Sequence, residues 1–103
     1  MADELHIREL EISIEDWIAY VEKSPDLELI HEASIENPLT GDVITINIPN
    51  SGKSTEGQFI LSTVREDRVS LSIKYADELS LILIKRVAAD LYGTVTGDEG
   101  ESY

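Results

Sequence analysis

The segment from Ser51 to Thr55 holds residue types that could bind a phosphate group. It reads Ser-Gly-Lys-Ser-Thr and contains the Gly-Lys-Ser of a phosphate-binding loop. Such a loop also needs a glycine five residues before Gly52 and a helix directly after it, because its backbone amides form a rigid nest at the helix start. Asn47 stands at the first position, in a strand-like pattern. We therefore predict a flexible loop over Asn50 to Gly57 and no cofactor site.

The two histidines could act as metal ligands or as an acid–base pair. His6 and His31 lie on separate strand-like segments, and Glu28 or Glu32 would be near if a sheet brought them together. Nothing in their spacing requires this. The pattern favours two half-exposed strand residues, and whether they meet depends on the fold.

The acidic run at the C-terminus is similar to part of a calcium loop. It reads Gly97-Asp98-Glu99-Gly100-Glu101 and ends before the twelfth-position Glu that such a loop needs. We predict a domain over residues 1–96 and an acidic tail over 97–103. The chain also lacks cysteine and Gly-x-Ser-x-Gly, and its carboxylates are too evenly spread for a catalytic pair to be identified. The sequence thus predicts no enzyme, no catalytic residue and no metal site.

The negative charge is unevenly distributed along the 103 residues. The first 42 residues carry a net charge of −10, from twelve acids and two bases, whereas the other 61 carry −3, from nine acids and six bases. An acidic excess confined to one part of a small domain is typical of a surface that binds a basic partner.

Composition indicates the compartment and excludes some partners. The sequence has no apolar run of about 18 residues and no basic-then-apolar leader at its start. We expect a cytoplasmic protein. A pI near 4.3 opposes direct binding to nucleic acid or to an anionic membrane, because both repel an acidic surface.

The clearest local pattern predicts a helix over Ile14 to Lys23. Ser13 and Asp16 have the spacing of a capping box, with Asp in place of the usual Glu, and Ile12 and Trp17 have that of a hydrophobic staple. These signals place Trp17 in the core rather than on a binding surface.

Short alternating runs predict the strands, at Glu4 to Leu10, Leu27 to Ala33, Gln58 to Val64, Val69 to Tyr75 and Thr94 to Thr96. A further strand carries Ile44, Ile46 and Ile48 on one side, and we predict that it is half-buried and ends at Pro49. Asn37 to Asp42 has the composition of a turn.

The longest helix is predicted over Ala76 to Tyr92, with Gly93 as its C-terminal stop. Its apolar stripe comprises Leu79, Leu83, Val87 and Leu91, widened by Ile82, Ile84 and Ala88. The element order β-α-β-β-β-β-α-β predicts an α+β domain, in which two helices pack on a mostly antiparallel sheet of about five strands.

Both ends of the chain resemble a group of small acidic bacterial proteins without an assigned activity. The matching segments are Ile12 to Val21, Ser24 to Leu27, and Leu91-Tyr92-Gly93 with the Gly-Asp-Glu-Gly-Glu-Ser-Tyr ending. Members often have tryptophans in the central strands, where this chain has Phe59. In size and acidity the group is similar to immunity proteins that neutralise bacterial toxins.

The resemblance and the charge together favour an immunity-type protein that binds a basic toxin, such as a nuclease, through its acidic surface. The alternatives are an acidic modulator of a nucleic-acid-binding protein, and an accessory domain without a dedicated partner. An edge strand at Leu27 to Ala33 would also allow homodimerisation. The predicted partner-binding residues are Glu22, Asp26, Glu28, Glu32, Glu36, Tyr20 and Tyr103.

Overall fold

A computed structural model describes residues 4–74 and 77–103, which form an antiparallel six-stranded sheet and two helices. The elements are β1 Glu4–Leu10, α1 Ile14–Lys23, β2 Leu27–Glu36, β3 Val43–Ser54, β4 Phe59–Arg65, β5 Arg68–Lys74, α2 Glu78–Leu91 and β6 Val95–Gly97. The predicted α+β class and the element order are confirmed. Tyr75 and Ala76, which were assigned to a strand and a helix, lie outside the described residues.

The sheet has the strand order β2-β3-β4-β5-β1-β6, and the core lies on one of its faces. Alternate residues of β1 and β5 point to that face, where Leu5, Ile7, Leu71 and Ile73 are almost completely buried. Both helices contribute to the same apolar core. None of the described helices or strands covers the opposite face of β1 and β5.

Local sequence signals place α1 as predicted. The Ser13 side chain accepts a hydrogen bond from the backbone of Asp16, and the Asp16 side chain accepts one from the backbone of Ser13, each over 3.1 Å. This reciprocal capping box satisfies two amide donors at the helix start. Trp17 is completely buried, as expected.

The buried face of α2 differs from the predicted stripe. Leu83, Ile84, Val87 and Ala88 are buried together with Ser80, whereas Leu79 and Ile82 are exposed. A four-residue spacing advances about 40° beyond a full helical turn, so a row of four residues drifts around the helix and cannot face the sheet along its whole length. The prediction that Leu79 and Ile82 lie inward was wrong. Leu79 stands at the end of the drifting row, and Ile82 lies about 200° of helix rotation from the buried Ile84, on the opposite side of the helix.

The end of α2 also differs from the prediction. Tyr92, not Gly93, adopts the left-handed conformation, with φ of 60°. Glycine is favoured at 93 because a Cβ there would lie 2.5 Å from Cγ2 of Ile7 and 2.7 Å from Cδ2 of Leu10, so that both side chains would have to shift. Residues 97–103 then turn back, and the amide of Tyr103 donates to the carbonyl of Val95 over 3.0 Å.

The largest departure concerns β3, which continues through Pro49 as far as Ser54. The predicted loop over Asn50 to Gly57 was therefore wrong for residues 50–54, which belong to β3, and residues 51–54 pair with β2. The backbone of Gly52 packs beside the Trp17 ring, and an added Cβ would lie 3.5 Å from the ring carbon Cζ2, an ordinary van der Waals distance. No phosphate-binding nest is formed by this extended segment.

Candidate protein-binding surface

Strands β2 and β3 continue past the sheet as a two-stranded ribbon, which we define as residues 32–47. β3 pairs with β4 only at Gly52 and Lys53, so the distal half of β3 has β2 as its only paired strand in the described chain. Every residue from 34 to 47 is exposed. The longest dimension of the molecule is 42 Å, against 30 and 27 Å for the other two.

The ribbon has an apolar and a polar face. Ala33 is paired with Ile46 and Ile35 with Ile44, and residues paired directly across antiparallel strands have side chains on the same face. The opposite face carries the pairs Glu32 with Asn47, Ser34 with Thr45, and Glu36 with Val43. The alternation in the sequence is thus real, but within the described residues no other element covers the apolar face of the ribbon.

The exposure of the apolar face contradicts the prediction of a half-buried strand. Ile35 is 54% exposed, Ile44 59% and Ile46 41%, and only Ile48 at the base of the ribbon is half-buried. A contiguous exposed apolar face of this kind marks an interaction surface more often than an isolated exposed residue does. The only sequence signal for this surface was the alternation of Ile44, Ile46 and Ile48 with polar residues. Sequence analysis assigned these isoleucines to the core of this chain and therefore missed them as functional candidates.

A bulge at the base of the ribbon directs it away from the sheet. Three residues of β3, Ile48 to Asn50, lie opposite the single residue His31 of β2. Pro49 has no amide to donate to a ladder, and Asn50 has a positive φ of 55°. The regular pairing is interrupted here, which separates the distal half of β3 from β4.

Asn50 connects this bulge to the core. Its amide donates to Nδ1 of His31 over 3.1 Å, and its carbonyl accepts from Nε1 of Trp17 and from Oγ of Ser62, each over 2.7 Å. All three partners belong to different elements. The base of the ribbon is therefore held in a defined direction relative to the sheet.

Residues 24–52, which form the ribbon and its base, carry charged side chains of one sign. Residues 24–52 contain five acids and no lysine or arginine, and three of the acids, Glu32, Glu36 and Asp42, are exposed on the ribbon. Among the predicted partner-binding residues, Glu32 and Glu36 share its polar face. Glu28 is exposed nearer the sheet, and Glu22 is exposed on α1.

The other acid predicted to bind a partner, Asp26, forms an ion pair within the chain. Both of its carboxylate oxygens accept hydrogen bonds from the guanidinium of Arg86 on α2. These bonds lower the pKa of Asp26 and raise that of Arg86. Asp26 thus links the segment after α1 to the second helix.

Both predicted tyrosine anchors have contacts within the domain. The Tyr20 hydroxyl donates to Oδ2 of Asp90 over 2.7 Å, and its ring stacks on that of Trp17 with centroids 6.0 Å apart. Burial, together with the hydrogen bond and negative charge of Asp90, raises the pKa of Tyr20 to about 12. Tyr103 is half-buried and packs against the core.

The open face of the sheet, on β1 and β5, differs from the ribbon in carrying basic side chains. It forms an open depression of about 910 Å³ around His6, and its charged lining comprises four of the eight basic residues, Arg8, Arg65, Arg68 and Lys74, with the acids Glu4, Glu9 and Glu66. His6 and His31 do not meet, because three strands separate β1 from β2. Among residues 4–74 and 77–103, no three His, Asp or Glu side chains gather as a metal site would require.

The chain matches no protein family, no curated protein and no solved structure. Within the described ranges, neither helix is long and apolar enough to cross a membrane.

Proposed function

We propose that this protein is an immunity-type inhibitor that binds and neutralises a basic toxin, such as a nuclease, in the cytoplasm. The observation that carries the proposal is the exposed ribbon with the strand residues that lead to it, where Glu28, Glu32, Glu36 and Asp42 are exposed and residues 24–52 contain no lysine or arginine. A nuclease needs a basic surface to hold phosphates, and an acidic protein gains both faster encounter and complementarity against such a surface.

The spacing of the ribbon carboxylates favours an inhibitor over a mimic of nucleic acid. Glu32 and Glu36 share a face with Ser34 between them, so their positions on β2 are about 13 Å apart. A single DNA strand has one phosphate per about 3.4 Å of helix axis. The acids therefore supply a diffuse negative field and do not form a phosphate-like ridge.

Co-expression with the protein of the adjacent reading frame tests the proposal. We expect that protein to be basic and toxic to the host when expressed alone, and the native chain to restore growth. Replacing Glu28, Glu32 and Glu36 by Gln should slow association at low salt, and the difference should shrink as salt is raised, because the Debye length falls from about 10 Å at 0.1 M to about 3 Å at 1 M.

The matched control removes three charges elsewhere, with Glu56→Gln, Asp98→Asn and Glu99→Gln. These residues are exposed. Glu56 lies in the turn after β3, at the end of that strand opposite the ribbon, and Asp98 and Glu99 follow β6, at the sheet edge opposite β2. Equal association rates for the two triple variants would mean that the acidity serves only solubility. A neighbouring product that is neither basic nor neutralised by this chain would contradict the immunity function itself.

A further inference from the structure

We infer that the apolar face of the ribbon, formed by Ala33, Ile35, Ile44 and Ile46, is the surface that seats the partner, and that the partner is a basic protein with an exposed apolar strip. This inference rests on the proposed function only in taking the partner to be a basic protein. It assigns the affinity to the apolar face, whereas the carboxylates control the rate of encounter.

The apolar face has the composition of a surface that is covered in use. Three of its four side chains are β-branched isoleucines, and each of the three is more than 40% exposed. β-branched side chains stabilise a strand when they pack against something, and a two-stranded ribbon is marginal in water without such packing. Burial by a partner would provide the missing contacts, since a few central apolar residues carry most of the free energy of a typical interface.

Charge identifies the occupant. A second copy packed face to face would bring Glu32, Glu36 and Asp42 of one ribbon close to the same residues of the other. Residues 24–52 contain no lysine or arginine that could compensate this negative charge. The two faces of a ribbon are only one backbone layer apart. The negative field of these carboxylates therefore reaches a molecule that is bound to the isoleucines on the opposite face. Like charges suppress such pairing, and anionic membranes are repelled in the same way. A basic protein gains from the same field.

The base of the ribbon supports this role. The three hydrogen bonds of Asn50 to His31, Trp17 and Ser62 tie the ribbon to the core on one side of the bulge. A surface that is already oriented loses less conformational freedom on binding.

Site-specific crosslinking tests the inference, and the absence of cysteine makes the chain suitable for it. A benzophenone maleimide is attached at Ile44→Cys on the apolar face, or at Thr45→Cys on the polar face as the matched control. Each labelled protein is irradiated in extract of the source cell. We expect one basic protein to be crosslinked much more strongly from position 44 than from 45. A product of two copies of this chain, equal yields from both positions, or no product would each overturn the inference.

A second pair of variants separates affinity from folding. Ile35→Ser with Ile46→Ser should weaken binding of the crosslinked protein roughly tenfold to hundredfold. Leu79→Ser with Ile82→Ser, which alters two exposed apolar residues of α2, should leave it unchanged. Equal affinities, with both variants folded by circular dichroism, would overturn the inference.

The outcomes distinguish this inference from the proposed function. If the apolar face binds a basic protein that is not a toxin, the inference about the apolar face holds and the proposed immunity function is wrong. A toxin that this chain neutralises, but whose affinity is unchanged when Ile35 and Ile46 are replaced, would support the immunity function and contradict the apolar face as the binding surface. Light scattering of the protein alone should give a monomer. A dimer would overturn the inference if it dissociates when Ile35 and Ile46 are replaced, or when Arg8 and Arg65 on the open sheet face are replaced. Either result would identify a second copy of this chain as the occupant.

Discussion

The amide of Asn50 donates a hydrogen bond to Nδ1 of His31 across the bulge that separates the ribbon from the sheet. For Nδ1 to accept, that nitrogen must be unprotonated, so the neutral ring carries its proton on Nε2. The carbonyl of Asn50 is bound at the same time by the side chains of Trp17 and Ser62. One residue with a positive φ therefore joins the candidate binding surface to the core.

This arrangement predicts a specific response to substitution at Asn50. Its hydrogen bonds use backbone atoms, so Asn50→Ala keeps them and changes only the ease of reaching φ of 55°. We expect Asn50→Ala to lower the free energy of unfolding by about 1 kcal/mol, because a Cβ disfavours the left-handed region and asparagine tolerates it best among residues with a side chain. Asn50→Gly is the control and should cost less in urea melts. A larger loss for glycine than for alanine would contradict the backbone explanation.

The second prediction concerns the face of α2. Ile84 is completely buried and Ile82 is 67% exposed, although they are two residues apart. Ile84→Ala should destabilise the protein by about 2–5 kcal/mol, and Ile82→Ala by no more than about 0.5 kcal/mol. Denaturant melts compare the two variants directly. Similar losses would mean that the helix is rotated from the orientation described.

The sequence predicts α1 well and α2 only in part, for a physical reason. The capping box of Ser13 and Asp16 is a local interaction, complete within four residues, so it can be recognised without the rest of the fold. The buried face of α2 depends on how the helix lies on β1 and β6. An apolar stripe broad enough to include Leu79 and Ile82 leaves that rotation undetermined.

The ribbon shows a different limit of sequence analysis. Alternation of Ile44 and Ile46 with polar residues correctly predicts a strand with one apolar face, but it does not specify what covers that face. Pro49 was taken as the end of the strand, whereas the strand continues because the proline lies in the bulge, where no ladder bond is lost. The candidate surface became visible only when the pairing of β3 with β4 was known.

The third prediction concerns Gly93. Alanine at this position would place its Cβ within 2.7 Å of side-chain atoms of Ile7 and Leu10, both of which are buried in the core. We expect Gly93→Ala to cost about 1–3 kcal/mol, because these side chains must move off their preferred positions. Gly52→Ala is the control, because φ is not positive at either glycine and an added Cβ at 52 would meet the Trp17 ring at an ordinary contact distance of 3.5 Å. A thermal melt in which Gly93→Ala does not lower the melting temperature would contradict the close packing at this position.

The ion pair between Asp26 and Arg86 predicts a change in stability at low pH. The hydrogen bonds from Arg86 hold the pKa of Asp26 below its ordinary value of 3.8. The stabilising contribution is therefore complete above the unfolded pKa and is lost as the pH falls through the folded pKa. Both side chains are more than a third exposed, and solvent screening limits the contribution to about 1 kcal/mol or less. The stability difference between the native protein and Asp26→Asn should be constant near neutral pH and should disappear in acid. A difference that persists at pH 2 would contradict the ion pair as its source.

The last prediction concerns Tyr20, which joins the two helices through Asp90. Its pKa is raised to about 12, first by burial and then by its hydrogen bond to the Asp90 carboxylate. Because the folded pKa exceeds the unfolded value of 10.0, the bond contributes fully to stability below pH 10 and is lost as the pH rises toward 12. The chain has four tyrosines, so the difference between the alkaline absorbance titrations of the native protein and Tyr20→Phe isolates this one. We expect the difference curve to have its midpoint near 12 and to move toward 10 in Asp90→Asn, where the negative charge is gone but a hydrogen-bond acceptor remains. A midpoint near 10 in the native protein, measured while circular dichroism still reports a folded chain, would show that Tyr20 does not form this contact in solution.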